Sequence, residues 1–189
     1  MLHSHCLRLE ITWKLFTFEG GLMKKLLVVL FLVCAVLPSY AARVYQGSGT
    51  GGSAIYTYSE REGRLYAGSG TGGTAIYTIE ESNGLLRIYR GSGTGGTAIY
   101  TYSKSERRLY RGSGTGGTAI YTFEPGSNLR IYEGSGTGGT AIYTIERGGR
   151  NWRIYLGSST GGTAIYTIEN GYEIPRGFLI FLVARVLGD

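Results

Sequence analysis

The chain has 189 residues, including 33 Gly, 16 Tyr, 3 Pro and 2 Cys, with a formal net charge of +6. Both cysteines (Cys6, Cys34) and both histidines (His3, His5) fall within the first 34 residues, so the rest holds no disulfide framework, zinc set or Cys/His dyad. From residue 42 onward fifteen Lys and Arg stand against eleven Asp and Glu, a surplus of +4. Spread at one or two Arg per repeat, it reads as solvated edge charge rather than a nucleic-acid surface.

In chain order, residues 23–42 come first as a recognisable element. Met23-Lys24-Lys25 is a positive start, Leu26 to Leu37 is an apolar run of 12 residues, and Pro38-Ser39-Tyr40-Ala41-Ala42 supplies small residues for cleavage. This is the pattern of a secretory signal peptide cut after Ala41 or Ala42. The run is shorter than the roughly 20 residues a spanning helix needs, which argues for export rather than anchoring. Residues 1–22 would bury that start behind Trp13, Phe16 and Phe18. They read as an upstream extension, because codons for Glu19-Gly20-Gly21 can hold a purine-rich ribosome-binding element just before Met23.

From residue 43 to 176 the chain is a repeat. Gly-Ser-Gly-Thr-Gly-Gly-Thr-Ala-Ile-Tyr-Thr, almost letter for letter, begins at Gly47, Gly68, Gly91, Gly112, Gly134 and Gly157, and the unit is about 22 residues. Each unit holds a short strand such as Arg87-Ile88-Tyr89-Arg90, a glycine corner, and a second strand such as Thr97 to Tyr102. Length variation is confined to the segment between the second strand and the next Arg, a solvent loop free to grow. Units this small bury their apolar faces only against neighbours. The expected class is all-β, six stacked two-strand units in a β-solenoid; a hairpin meander, open or closed into a barrel, is the alternative.

Alternation sorts the second strand into two faces. One carries Tyr56, Tyr77, Tyr100, Tyr121, Tyr143 and Tyr166, expected as a buried tyrosine ladder beside the strand-end residues Tyr58, Ile79, Tyr102, Phe123, Ile145 and Ile168. The other carries Thr74 and Thr78, Thr97 and Thr101, Thr118 and Thr122, and Thr140 and Thr144, with Ile between each pair, a regular grid that could meet ice, a glycan or another repetitive lattice. In the first strand the pattern does not say whether Tyr89 or Ile88 points inward. Residues 177–189, almost wholly apolar, break the repeat and are expected to cap the last coil.

Chemistry finds little support. Gly-x-Gly-x-x-Gly occurs five times and fails in the sixth copy at Ser159, but a strand follows where a dinucleotide site needs a helix, so no nucleotide and no cofactor is expected. Asp189 is the sole Asp, the Glu sit mostly in variable loops, and no His follows residue 42, so no acid/base pair or activated nucleophile is expected: the chain is not an enzyme.

Over residues 44–176 the chain resembles secreted bacterial proteins built from tandem Ile-Tyr-x-Gly and Ile-Tyr-Thr-Ile units. Its Tyr-x-Gly steps (Tyr89, Gly91) are similar to MORN repeats, Tyr56-Thr57-Tyr58 with Gly63-Arg64-Leu65 to YD repeats, and its unit length to curli subunits, without their Gln and Asn ladders. The resemblance implies a non-enzymatic structural or interaction protein of the bacterial envelope or surface, with an unknown envelope partner. Self-association into a curli-like fibre, or ice or glycan binding through the threonine grid, are the other expectations.

Overall fold

The computed structural model describes residues 41–188; the signal peptide and upstream extension expected from the sequence lie almost wholly outside them. Every one of the six units forms an antiparallel pair with short connections on both sides. The strands are β1 (Ala42–Gln46), β2 (Tyr56–Ser59), β3 (Arg64–Ala67), β4 (Ala75–Ser82), β5 (Leu85–Arg90), β6 (Tyr100–Ser103), β7 (Arg108–Arg111), β8 (Ala119–Glu124), β9 (Asn128–Glu133), β10 (Tyr143–Gly148), β11 (Asn151–Leu156) and β12 (Tyr166–Glu169). Each pairs with its sequence neighbours, and β1 pairs with β12, closing an up-and-down barrel of twelve strands.

The chain is therefore all-β, but the solenoid expectation is replaced by its alternative, the closed barrel. The reason is connection length. Parallel stacking of like strands requires the chain to return to its starting side, whereas a short loop after every strand reverses direction and pairs unlike strands antiparallel. Like strands of successive units consequently never lie side by side, and no strand edge is left open.

A barrel of eight strands is just filled by its own side chains; twelve enclose a wider lumen. Here the tail fills it. After β12 a single 3-10 turn (Gly171–Glu173) leads through Pro175 into α1 (Arg176–Phe181), which continues without a break into a π-helical turn (Leu182–Val186). Pro175 suits the helix start, where no backbone N–H is needed, and Leu187 N–H donates to the Leu182 carbonyl at 2.9 Å in the wide spacing of the last turn. Phe178 to Ala184 are buried in one cluster with inward residues of the strands, among them Val44, Tyr58, Leu65, Ile88, Leu109, Ile131, Ile154 and Ile168. A helix apolar on all sides is stable only when surrounded, and the lumen surrounds it. The segment expected as an end cap is the barrel's axis.

Alternation settles the first strand: Ile88 faces the lumen and Tyr89 the outer wall, and the other units repeat this. Arg43, Arg87, Arg130 and Arg153 share the outer wall with Tyr and Glu. An apolar lumen inside a charged wall is the polarity of a barrel in water and the inverse of a lipid-facing one. No described helix is long and apolar enough to cross a membrane.

Candidate functional site

The up-and-down order places all six glycine corners at one end of the barrel and all variable loops at the other. At the glycine end, three structural features converge. The first is the set of loops, whose Ser, Thr and Gly are mostly exposed and carry no charge. Each loop is tied down by a buried hydroxyl: Thr57, Thr78, Thr101, Thr122, Thr144 and Thr167 donate to the carbonyls of Gly68, Gly91, Gly112, Gly134, Gly157 and Gly47 at 2.6–2.8 Å.

The second feature is the tyrosine set. Tyr56, Tyr77, Tyr100, Tyr121, Tyr143 and Tyr166 are half-buried and encircle the C-terminal end of the central helix. They do not stack on one another. Tyr77 and Tyr100 pack on Phe181 with ring centroids 4.9 and 5.2 Å apart, Tyr121 donates to the Ala184 carbonyl at 3.4 Å, and Tyr166 donates to that of Leu187 at 3.1 Å. Arg185 Nε donates to the Tyr100 hydroxyl at 3.3 Å. Tyrosines expected as a ladder form a collar instead, since β2, β4, β6, β8, β10 and β12 alternate with strands of the other kind.

The third feature is the fate of the threonine rows. Thr74, Thr97, Thr118 and Thr140 are exposed on the loops, while Thr78, Thr101, Thr122 and Thr144 are buried under the wall. The Ile between them turns toward the core, helped in β4 and β8 by bulges opposite Leu65/Tyr66 and Leu109/Tyr110 that insert one residue and break the alternation. The rows therefore do not make one flat grid.

Around the outer wall, Tyr45, Tyr89, Tyr110, Tyr132 and Tyr155 donate to Glu169, Glu80, Glu106, Glu124 and Glu146 at 2.7–3.1 Å, and Tyr66 donates to Glu62. Burial, then the carboxylate bond, pushes the phenols of Tyr89, Tyr132 and Tyr155 up; for Tyr66 the bond to Glu62 comes first. These phenols stay protonated, as donors to carboxylates must. Nothing in the repeat spacing announced these pairs, although a Glu recurs within a few residues of each second strand.

No family model, curated protein or solved structure matches this chain. Among the described residues, no group of three or more His, Cys, Asp or Glu is placed to hold a metal ion.

Proposed function

We propose that the protein is a non-enzymatic, exported interaction module of the bacterial envelope or surface, whose working surface is the rim of six glycine loops. One observation carries the reading. Glycines such as Gly93, Gly95, Gly114 and Gly116 have no positive φ, and a Cβ built on them would meet no atom within 4 Å. Neither backbone conformation nor internal contact requires glycine there. Yet these loops keep their length and nearly their sequence through six units, while the loops at the other end of the same units differ in both. A constraint absent from inside the barrel is supplied from outside, by a partner that approaches the backbone closely along a neutral, hydroxyl-bearing surface.

The fibre reading has less to stand on in a closed barrel, because strand addition needs a free edge. The test is co-sedimentation of the purified chain from residue 42 with isolated envelopes of its source cell, compared with a Thr94→Glu/Thr115→Glu variant. Binding by the parent and its loss in the variant, at unchanged thermal midpoint, is the expected result. Equal sedimentation of both would refute the rim, and retention of the full chain in the cytoplasm of the source cell would refute export.

A further inference from the structure

At the opposite end of the barrel, where α1 passes into the lumen, lies a cavity of about 480 Å³. Its apolar floor is Leu86, Tyr102 and Phe123, and its rim carries Lys104, Arg107 and Arg176. Lys104 is ion-paired with Glu81. Arg107 and Arg176 make no side-chain hydrogen bond or ion pair among the described residues. Tyr102 is only 3% exposed, its ring lies against Gly177 so closely that a Cβ there would come within 2.4 Å, and its hydroxyl has no hydrogen-bond partner among the described residues. The ring of Tyr102 is buried while its hydroxyl is left without a protein partner, and with the exposed Arg107 and Arg176 on the same cavity this leaves three sets of donors open to a ligand.

The backbone supports the same conclusion. Arg107 has φ 58°, in the left-handed region that side chains with a Cβ avoid. Its counterpart two units earlier is Gly63, at φ 61°: Glu62-Gly63-Arg64-Leu65-Tyr66 aligns with Glu106-Arg107-Arg108-Leu109-Tyr110. Both turns make the same bond, Ile79 N–H to the Gly63 carbonyl at 2.8 Å and Phe123 N–H to the Arg107 carbonyl at 2.9 Å. At Gly63 a Cβ would lie 3.1 Å from the Ile79 carbonyl oxygen. The third unit thus places an arginine in a turn that suits glycine, and that arginine lines the cavity. Backbone strain of this kind persists where a site uses the side chain.

We propose that this cavity binds a small organic anion, an oxyanion group on a flat apolar body, with Arg107 and Arg176 holding the oxyanion, Tyr102 donating to it, and Leu86 and Phe123 taking the apolar part. Both guanidiniums act on Tyr102: burial raises its phenol above the usual value, while Arg176 and then Arg107 pull it down. The volume falls within the range of small-molecule pockets, roughly 300–1,000 Å³. The site is independent of the glycine rim.

The test is calorimetric titration of the chain from residue 42 with 2-naphthoate, with methyl 2-naphthoate for the uncharged body and inorganic phosphate for the oxyanion alone. Naphthoate should bind at least tenfold more tightly than either. Arg107→Gly should weaken naphthoate binding at least tenfold while raising the thermal midpoint, because it removes a charge and a strained φ together. Arg176→Gln should weaken binding without altering the fold. The proposal is overturned if naphthoate does not bind at millimolar concentration, if the ester binds equally well, if Arg107→Gly keeps full affinity, or if its affinity falls only together with the midpoint.

Discussion

Thr167 Oγ1 donates to the Gly47 carbonyl at 2.8 Å, and this bond, spanning 120 residues, copies the five that join each of the other units to the next. The strand register closes in the same way, with Tyr45 opposite Thr167 as Tyr89 is opposite Thr78. The ring therefore has no seam: its first and last strands meet by the same local rule as the others.

Replacing one of these threonines by valine keeps shape and removes the donor. Thr101→Val leaves the Gly112 carbonyl without its partner in the wall, so it should cost about 1 kcal/mol, with an upper range of about 3. For a domain of this size the thermal midpoint should fall by about 2–4 °C per kcal/mol. Calorimetry of the variant against the parent measures it, and an unchanged midpoint would show the bond to be energetically idle.

Phe181 is buried between Tyr77, Tyr100 and Phe178. Truncation to Ala removes a ring from the axis of the barrel, where the strands cannot collapse inward, and should cost about 3–5 kcal/mol. Urea unfolding followed by tyrosine fluorescence gives the difference directly.

Removal of residues 176–188 should have a larger effect of a different kind. Without the central helix the lumen has nothing to exclude water, and the strands should lose fixed side-chain packing. The expected signs are loss of the near-ultraviolet dichroism of the tyrosines and binding of a hydrophobic dye. A truncated chain with the parent's near-ultraviolet spectrum would contradict the role of the tail.

Two glycine substitutions separate geometry from contact. Gly91 has φ 81°, so Gly91→Ala should cost about 1–2 kcal/mol although no atom lies within 4 Å. Gly93, two residues on, has neither a positive φ nor a near neighbour, and Gly93→Ala should change stability by less than about 0.5 kcal/mol. Under the proposed function, the second variant should nevertheless weaken envelope binding, which co-sedimentation would report.

Glu173, on the turn before α1, faces Glu60. A hydrogen bond with Glu60, then burial and charge repulsion, pushes its carboxyl up to about 7 from 4.5. The folded chain thus holds this proton more tightly than the unfolded one. The associated stabilisation is complete below about pH 4.5 and is lost as pH rises through 7. Glu173→Gln should flatten this part of the midpoint-versus-pH curve between pH 5 and 8, and an identical slope in parent and variant would place the effect elsewhere.

The strands, the corners and the inward set of the second strand were legible in the residues themselves, because period-two alternation and glycine spacing are local properties. Tyr58, Phe123, Ile145 and Ile168 needed no partner to be recognised as apolar positions of one face. The sense of the first strand was not legible: Ile88 and Tyr89 are both apolar enough to be buried, and both are, one in the lumen and one flat on the wall under its bond to Glu80. Arg107 was also hidden, since only its φ and the cavity beside it distinguish it from a loop charge.

What residue order determined by itself was a repeating two-strand unit with one variable and one constant corner, because those follow from local backbone preferences. Whether such units stack or close was decided by tertiary structure. Closure depends on β1 meeting β12 in the shared register and on an apolar tail filling the space that twelve strands enclose, and both are relations between residues more than 100 positions apart or between a segment and a cavity that exists only after folding.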